Sequence, residues 1–228
     1  MKKPVMDYSQ FSFSRLNEAQ FSHLKLLWAW VGYFAMYVLT EQLIPRENCY
    51  VIHCALDDMI PFNEWFVIPY VLWYLLVAGS LLYFALYDTD SFIALMKFII
   101  VTQVTAMLIY IVFPNRQDMR PEQFARDNLL TDIVSILYTI DTSTNVCPSL
   151  HVAYSLGIAS TWIKSEVPKR RNKLFITVFC LLVCLSTVFI KQHSVLDGLA
   201  AIPVCLLAER IAYKNYWRAW RIRRRYPL

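Results

Sequence analysis

Long apolar runs separated by short polar intervals dominate the chain. They occupy residues 24–44, 64–86, 92–113, 149–163, 174–190 and 195–213. Most approach the roughly 20 residues that a helix needs to cross a hydrocarbon core, so the pattern predicts six helices. The run at 149–163 is short, which places its N-terminal end at the membrane surface within a protein-lined pocket. Trp28, Trp30, Trp65, Trp73, Trp162 and Trp217 fall at the predicted ends or one turn inside, as interfacial anchors would. No internal repeat or low-complexity tract appears.

Composition sharpens this picture. Of 228 residues, 57% are hydrophobic and 17% charged, against about 45–50% and about 25% in an ordinary soluble domain. A core of this size cannot hide that surplus. The expected fold class is therefore all-α: one polytopic membrane domain, with six transmembrane helices in a bundle. The first apolar run is too long and too late for a cleavable signal peptide, and it reads as a retained span.

Charge sets the orientation. Lys164, Lys169, Arg170, Arg171 and Lys173 face a single acid, Glu166, between the fourth and fifth runs. The tail at 214–228 carries Lys214, Arg218, Arg221, Arg223, Arg224 and Arg225 and no acid, while Lys2, Lys3, Arg15 and Lys25 precede the first run. Six spans put all three segments on one side, which the positive-inside rule makes the cytoplasm. Both termini are then cytoplasmic, and the short loops point to a bacterial inner membrane. The aromatic, Arg-rich stretch at 216–221 suits anionic headgroups. Nucleic acid is a poor alternative partner, because the basic residues abut a span and no nucleic-acid-binding motif is present.

Six cysteines do not make a metal site. Cys180, Cys184 and Cys205 lie inside predicted spans, where thiols pack as small apolar groups. Cys49 and Cys54 share an outward loop with His53 at a spacing unlike zinc ligands, so a short disulfide and free thiols both remain open.

Ionisable groups at membrane depth are costly and mark function, and here they gather at three outward-facing places. At 147–151, Pro148 suits the first helical position. The N–H groups of Ser149, Leu150 and His151 would then face an anion at the positive end of a helix dipole. At 186–197, His193 and Asp197 are one helical turn apart, so the carboxylate can fix the tautomer and free the other ring nitrogen to attack. At 113–121, Arg116 and Arg120 could clamp a phosphate as a pair of guanidinium forks. Each place also has a bland reading: an ordinary capped helix, a structural His–Asp contact, and a loop on lipid headgroups. Together they lack the clustered carboxylates of a Mg²⁺ site, and the chemistry that fits is phosphoryl transfer without metal or cofactor.

These residues resemble the type-2 phosphatidic acid phosphatase superfamily, the lipid phosphate phosphatases. Its pattern is K-x6-R-P, then P-S-G-H, then S-R-x5-H-x3-D. Arg120-Pro121 matches the end of the first motif. Pro148, Ser149 and His151 match the second, and Ser186, His193 and Asp197 the third. The resemblance covers about 103–208. It implies that His193 is the nucleophile, Asp197 orients it, and His151 is acid and then base, with Arg120, Ser149 and amides near Leu150 holding phosphate oxygens. The family's Lys falls on Phe113, its Gly on Leu150 and its third-motif Arg on Thr187. Arg116 and Lys191 are the expected replacements for the two missing cations. P-S-L-H is similar to the motif in inositol phosphorylceramide synthases, which implies transfer to an alcohol as the alternative to water. The expected partner is a phosphorylated lipid. A silent protein that binds anionic lipid at the same pocket is the third reading.

Overall fold

The computed structural model describes residues 4–217. Eight helices carry the fold among them: α1 (Trp28–Leu43), α2 (Ala55–Met59), α3 (Val67–Tyr87), α4 (Thr89–Val112), α5 (Leu129–Ile140), α6 (Leu150–Lys164), α7 (Arg170–Phe189) and α8 (Val195–Ala212). A two-stranded parallel pair, β1 (Tyr50–Val51) and β2 (Asn115–Arg116), joins two loops.

Each of the six apolar runs coincides with a helix. Three helical segments, at 64–87, 89–112 and 170–189, are long and apolar enough to cross a membrane. The others fall short for visible reasons. Helices α1 and α6 have 16 and 15 residues, about 24 and 22 Å at 1.5 Å per residue. Helix α8 carries Asp197, Glu209 and Arg210.

Helices α3, α4, α6, α7 and α8 pack around one apolar core, while α1 leans on α4. At Gly157 of α6, an added Cβ would stand 2.5 Å from the Phe98 ring of α4. No larger residue allows that approach without displacing the ring. Helices α3 and α4 form a tight hairpin at Asp88, whose carboxylate caps α4 through Ser91 N–H and also accepts from the Ser165 hydroxyl at the far end of α6. The N-terminal segment docks at this end, with the Tyr8 hydroxyl donating to the Ala85 carbonyl at 2.8 Å. The basic 164–173 segment and the start of the described chain therefore share one end of the bundle. Lys2, Lys3 and the Arg-rich part of the tail lie outside the described residues.

Two expectations need correction. Trp73 and Trp162 are only 7% and 6% exposed. They are packing residues, and Trp162 Nε1 donates to Ser80 Oγ at 3.0 Å. The interval 114–148, which the pattern of six apolar runs leaves as a connecting loop, contains α5, an amphipathic helix whose Val134 and Leu137 pack with Val67 and Tyr70 of α3. All six cysteines are free thiols.

Candidate active site

The end of the bundle away from the basic segment brings the three polar places together. His151 and Lys164 are 13 residues apart on α6, about 20 Å along its axis. Ser149 N–H donates to the Asp197 carbonyl at 3.0 Å, tying the starts of α6 and α8 to each other. Asn115 joins the first place to the second. Its Oδ1 accepts from Val146 and Cys147 N–H at 2.9 and 2.7 Å, and its Nδ2 donates to the Cys147 carbonyl at 2.9 Å. With all its hydrogen-bonding groups engaged, this buried amide fixes the turn that leads into α6.

Pro148 lies one residue before the cap instead of at the first helical position. Ser149 is the N-cap, and its hydroxyl oxygen accepts from Val152 N–H. With its N–H spent on Asp197, Ser149 is a buried structural tie at the helix start.

His193 is held from two sides. Its backbone N–H donates to the Thr187 carbonyl at 3.0 Å, and its Nδ1–H donates to Asp197 Oδ2 at 3.1 Å. The same Oδ2 accepts from Ser194 N–H at 2.9 Å, so one carboxylate orients the imidazole and completes the capping box of α8. Nε2 then keeps its lone pair. The ring of His151 lies 5.6 Å from that of His193, centroid to centroid.

His151 has a support of its own that the sequence did not reveal. The Tyr70 hydroxyl gives its one proton to Asp141 Oδ2 at 2.5 Å. Its longer contact with His151 Nδ1, 3.4 Å, therefore requires the imidazole to donate. The Tyr70 and Trp73 rings sandwich His151 at centroid distances of 4.4 and 4.2 Å. His151 Nε2 is buried with no protein partner. Burial works to raise the Asp141 carboxyl, but the charge of a protonated His151 and hydrogen bonds from Tyr70 and Gln192 outweigh it and hold the group below its ordinary value.

Both histidines open onto a cavity of about 530 Å³ that extends past Trp73, Tyr74, Val77 and Leu81 on α3 and Trp30, Tyr33 and Tyr37 on α1. Leu150 lines it, as does Asp141. Among the described residues, no Lys or Arg does.

That finding relocates the predicted cations. Arg120 sits behind the wall. It donates to the carbonyls of Tyr138 and Asp141 at 2.8 and 2.5 Å and lies 4.4 Å from the Tyr138 ring centre. A cation on the last carbonyls of α5 is where the helix dipole favours one, and there it positions Asp141. Arg116 is engaged by Asp118 at 3.0 Å and by the Arg46 carbonyl at 2.6 Å. Lys191 donates to the carbonyls of Asp57 and Ile60 at 2.6 and 2.5 Å. Ser186 bonds back to the Val183 carbonyl within α7. Arg116 and Lys191 therefore do not replace the missing cations at the cavity. Lys191→Met is expected to lower the unfolding temperature in detergent. Arg116→Met is expected to keep turnover within a few-fold of wild type, whereas a loss near the hundredfold typical of a lost oxyanion donor would restore it to the site.

The partner of Lys191 explains why the α2 loop is ordered. Asp57, 3% exposed, accepts from the Ser194 hydroxyl at 2.5 Å and from Val195 and Cys54 N–H at 2.8 and 2.9 Å. It thus caps α8 from outside and fixes the turn beside His193. Asp57→Ala should cost about 2 kcal/mol, because a cap is lost and buried donors are left unpaired; thermal unfolding reads this directly. Burial works to raise the Asp57 carboxyl, but the bonds from Ser194, Val195 and Cys54 set it below the ordinary value of 3.8. Its contribution is then complete above that value and is lost as pH falls through the lowered one.

Among the described residues, no group of three or more His, Cys, Asp or Glu is placed to hold a metal ion. No family model matches the chain, nor does any curated protein or solved structure.

Proposed function

We propose that the chain is an integral membrane enzyme that breaks a lipid phosphate ester through a phosphohistidine on His193. What carries this reading is the convergence of two imidazoles, each backed by a carboxylate, on one cavity: His193 through Asp197 directly and His151 through Tyr70 to Asp141. His193 Nε2 attacks phosphorus, the ester P–O bond breaks, and His151 protonates the departing alcohol oxygen. The same nitrogen of His151 then takes a proton from water, which opens the intermediate and regenerates the enzyme. The motif resemblance supports these roles. The start of α8, held by Asp57 and Ser194, adds the positive end of a helix dipole beside the phosphoryl oxygens. Neither step calls for a metal, and EDTA is expected to leave turnover unchanged.

In this reading α1, α3, α4, α6, α7 and α8 all cross the bilayer of a cell membrane. The termini and the basic 164–173 segment face the cytoplasm, and the cavity opens near the other surface. Hydrolysis of a phosphate monoester or diphosphate is the first form of the activity. Transfer of a phospho-headgroup to a lipid alcohol is the second, favoured by a cavity that runs well beyond the histidines along α1 and α3. Phosphate release from a labelled lipid in detergent, with and without added diacylglycerol or ceramide, separates the two. A purified protein that turns over neither type of substrate and takes up no orthovanadate would instead be a binding protein for anionic lipid.

A further inference from the structure

The cavity is built from the wrong charges for a simple phosphate. A phosphate monoester brings up to two negative charges, yet the charged side chain in the lining besides the two histidines is the Asp141 carboxylate. Arg120, one of the predicted cations, is turned onto backbone carbonyls. Placing a dianion beside a carboxylate in a low-dielectric pocket is strongly disfavoured.

The lining is also unusually rich in rings. Tyr37 and Tyr33 stand 6.1 Å apart, Trp30 lies 6.4 Å from Tyr33, Tyr154 lies 5.8 Å from Trp30, and Trp73 follows at 5.7 Å from Tyr154. Together with Tyr74 they form a nearly continuous aromatic wall that ends at His151. Asp141 shares this lining with Tyr33, Tyr37 and Tyr74. Beside this wall, His151 Nε2 and Gln192 Oε1 are buried without partners.

Rings beside a carboxylate, with no Lys or Arg in the lining, are what an ammonium group needs. The electron-rich ring faces attract it, and the carboxylate supplies the counter-charge. We propose that the substrate is a zwitterionic phosphodiester lipid whose ammonium headgroup lies between Asp141 and the aromatic wall, with its phosphorus at His193. Such a substrate brings its own positive charge, which accounts for a phosphoryl site without Lys or Arg at the cavity. Its hydrocarbon chains lie where the cavity opens past Val77 and Leu81, between α3 and α1, two helices that hardly touch. This rests on the phosphohistidine reading and selects its second form, because the headgroup then stays on phosphorus and the diacylglycerol leaves.

The test measures binding in the full-length His193→Ala protein, which cannot turn over. Binding of phosphatidylcholine and of phosphatidic acid with the same chains is followed in detergent micelles by the fluorescence of Trp30 and Trp73. Phosphatidylcholine is expected to bind at least tenfold more tightly. Asp141→Asn is expected to erase most of that preference. Tyr37→Leu, a change at a partly exposed ring, is expected to reduce it severalfold, and unfolding temperature checks that each variant is folded. Equal or tighter binding of phosphatidic acid, or a preference unchanged in both folded variants, overturns the proposal. Because no reaction is required, failure here leaves the histidine chemistry standing, and failure of that chemistry leaves this result readable.

Discussion

His193→Ala is expected to lower turnover of the lipid substrate by about 10⁴-fold or more. Losing a nucleophile removes the whole covalent path, and single replacements in such units cost nearly as much as removing the unit. The size of the effect follows from geometry. Nδ1–H is committed to Asp197, the N–H is committed to Thr187, and the residue is 93% buried; among the described residues, no other imidazole in the lining is hydrogen-bonded directly to a carboxylate in this way. Stability should change far less. The variant leaves Asp197 Oδ2 with its Ser194 contact, and one lost hydrogen bond to a charged group is worth about 1.5–3 kcal/mol. A folded protein with lipid binding intact and turnover abolished is the expected pattern. Retained turnover would place the chemistry elsewhere.

His151→Ala is expected to cost between about 10² and 10⁴ in turnover, the range for a positioned general acid. Its signature is the dependence on leaving group. A lipid alkoxide cannot depart without a proton, whereas p-nitrophenolate can. In the variant, first-turnover release of p-nitrophenolate from p-nitrophenyl phosphocholine, which reports the attack step alone, should therefore come within about tenfold of wild type. An equal loss on both substrates would mean that His151 only shapes the pocket. Tyr70→Phe separates the support from the acid. It keeps the stacked ring 4.4 Å from His151 but removes the hydroxyl between Asp141 and the imidazole. The pH profile should shift, with a smaller loss than for His151→Ala.

Much of this arrangement could be read from the chain because local spacing reports local geometry. His193 and Asp197 are one turn apart, and that spacing alone predicts the contact seen at 3.1 Å. The apolar runs likewise locate the long helices, since burial in lipid or core demands length and hydropathy. Other features were hidden because they depend on partners distant in sequence. Tyr70 sits in an apolar run where nothing sets it apart, and it meets Asp141 across 71 positions. Asp57 looks like an ordinary acid in a loop, yet it caps a helix that begins 138 residues later. The cations misled for the same reason. Arg116 and Lys191 stand near the motifs in sequence, but loop carbonyls and Asp118 claim their donors. Helix α5 is hard to read from the chain because it has only 12 residues, fewer than a span needs, and polar residues break its apolar run.

The measurement that bears most directly on the chemistry is peptide mapping by mass spectrometry after an alkaline quench during turnover, since a phosphorylated imidazole survives base. Using the His151→Ala protein with a substrate of good leaving group should let the adduct accumulate, because attack still proceeds while its breakdown lacks the base. A phosphoryl group, with or without its headgroup, on the peptide that contains His193 is the predicted result. Turnover with that peptide unmodified, or with the adduct on a different residue, would contradict it.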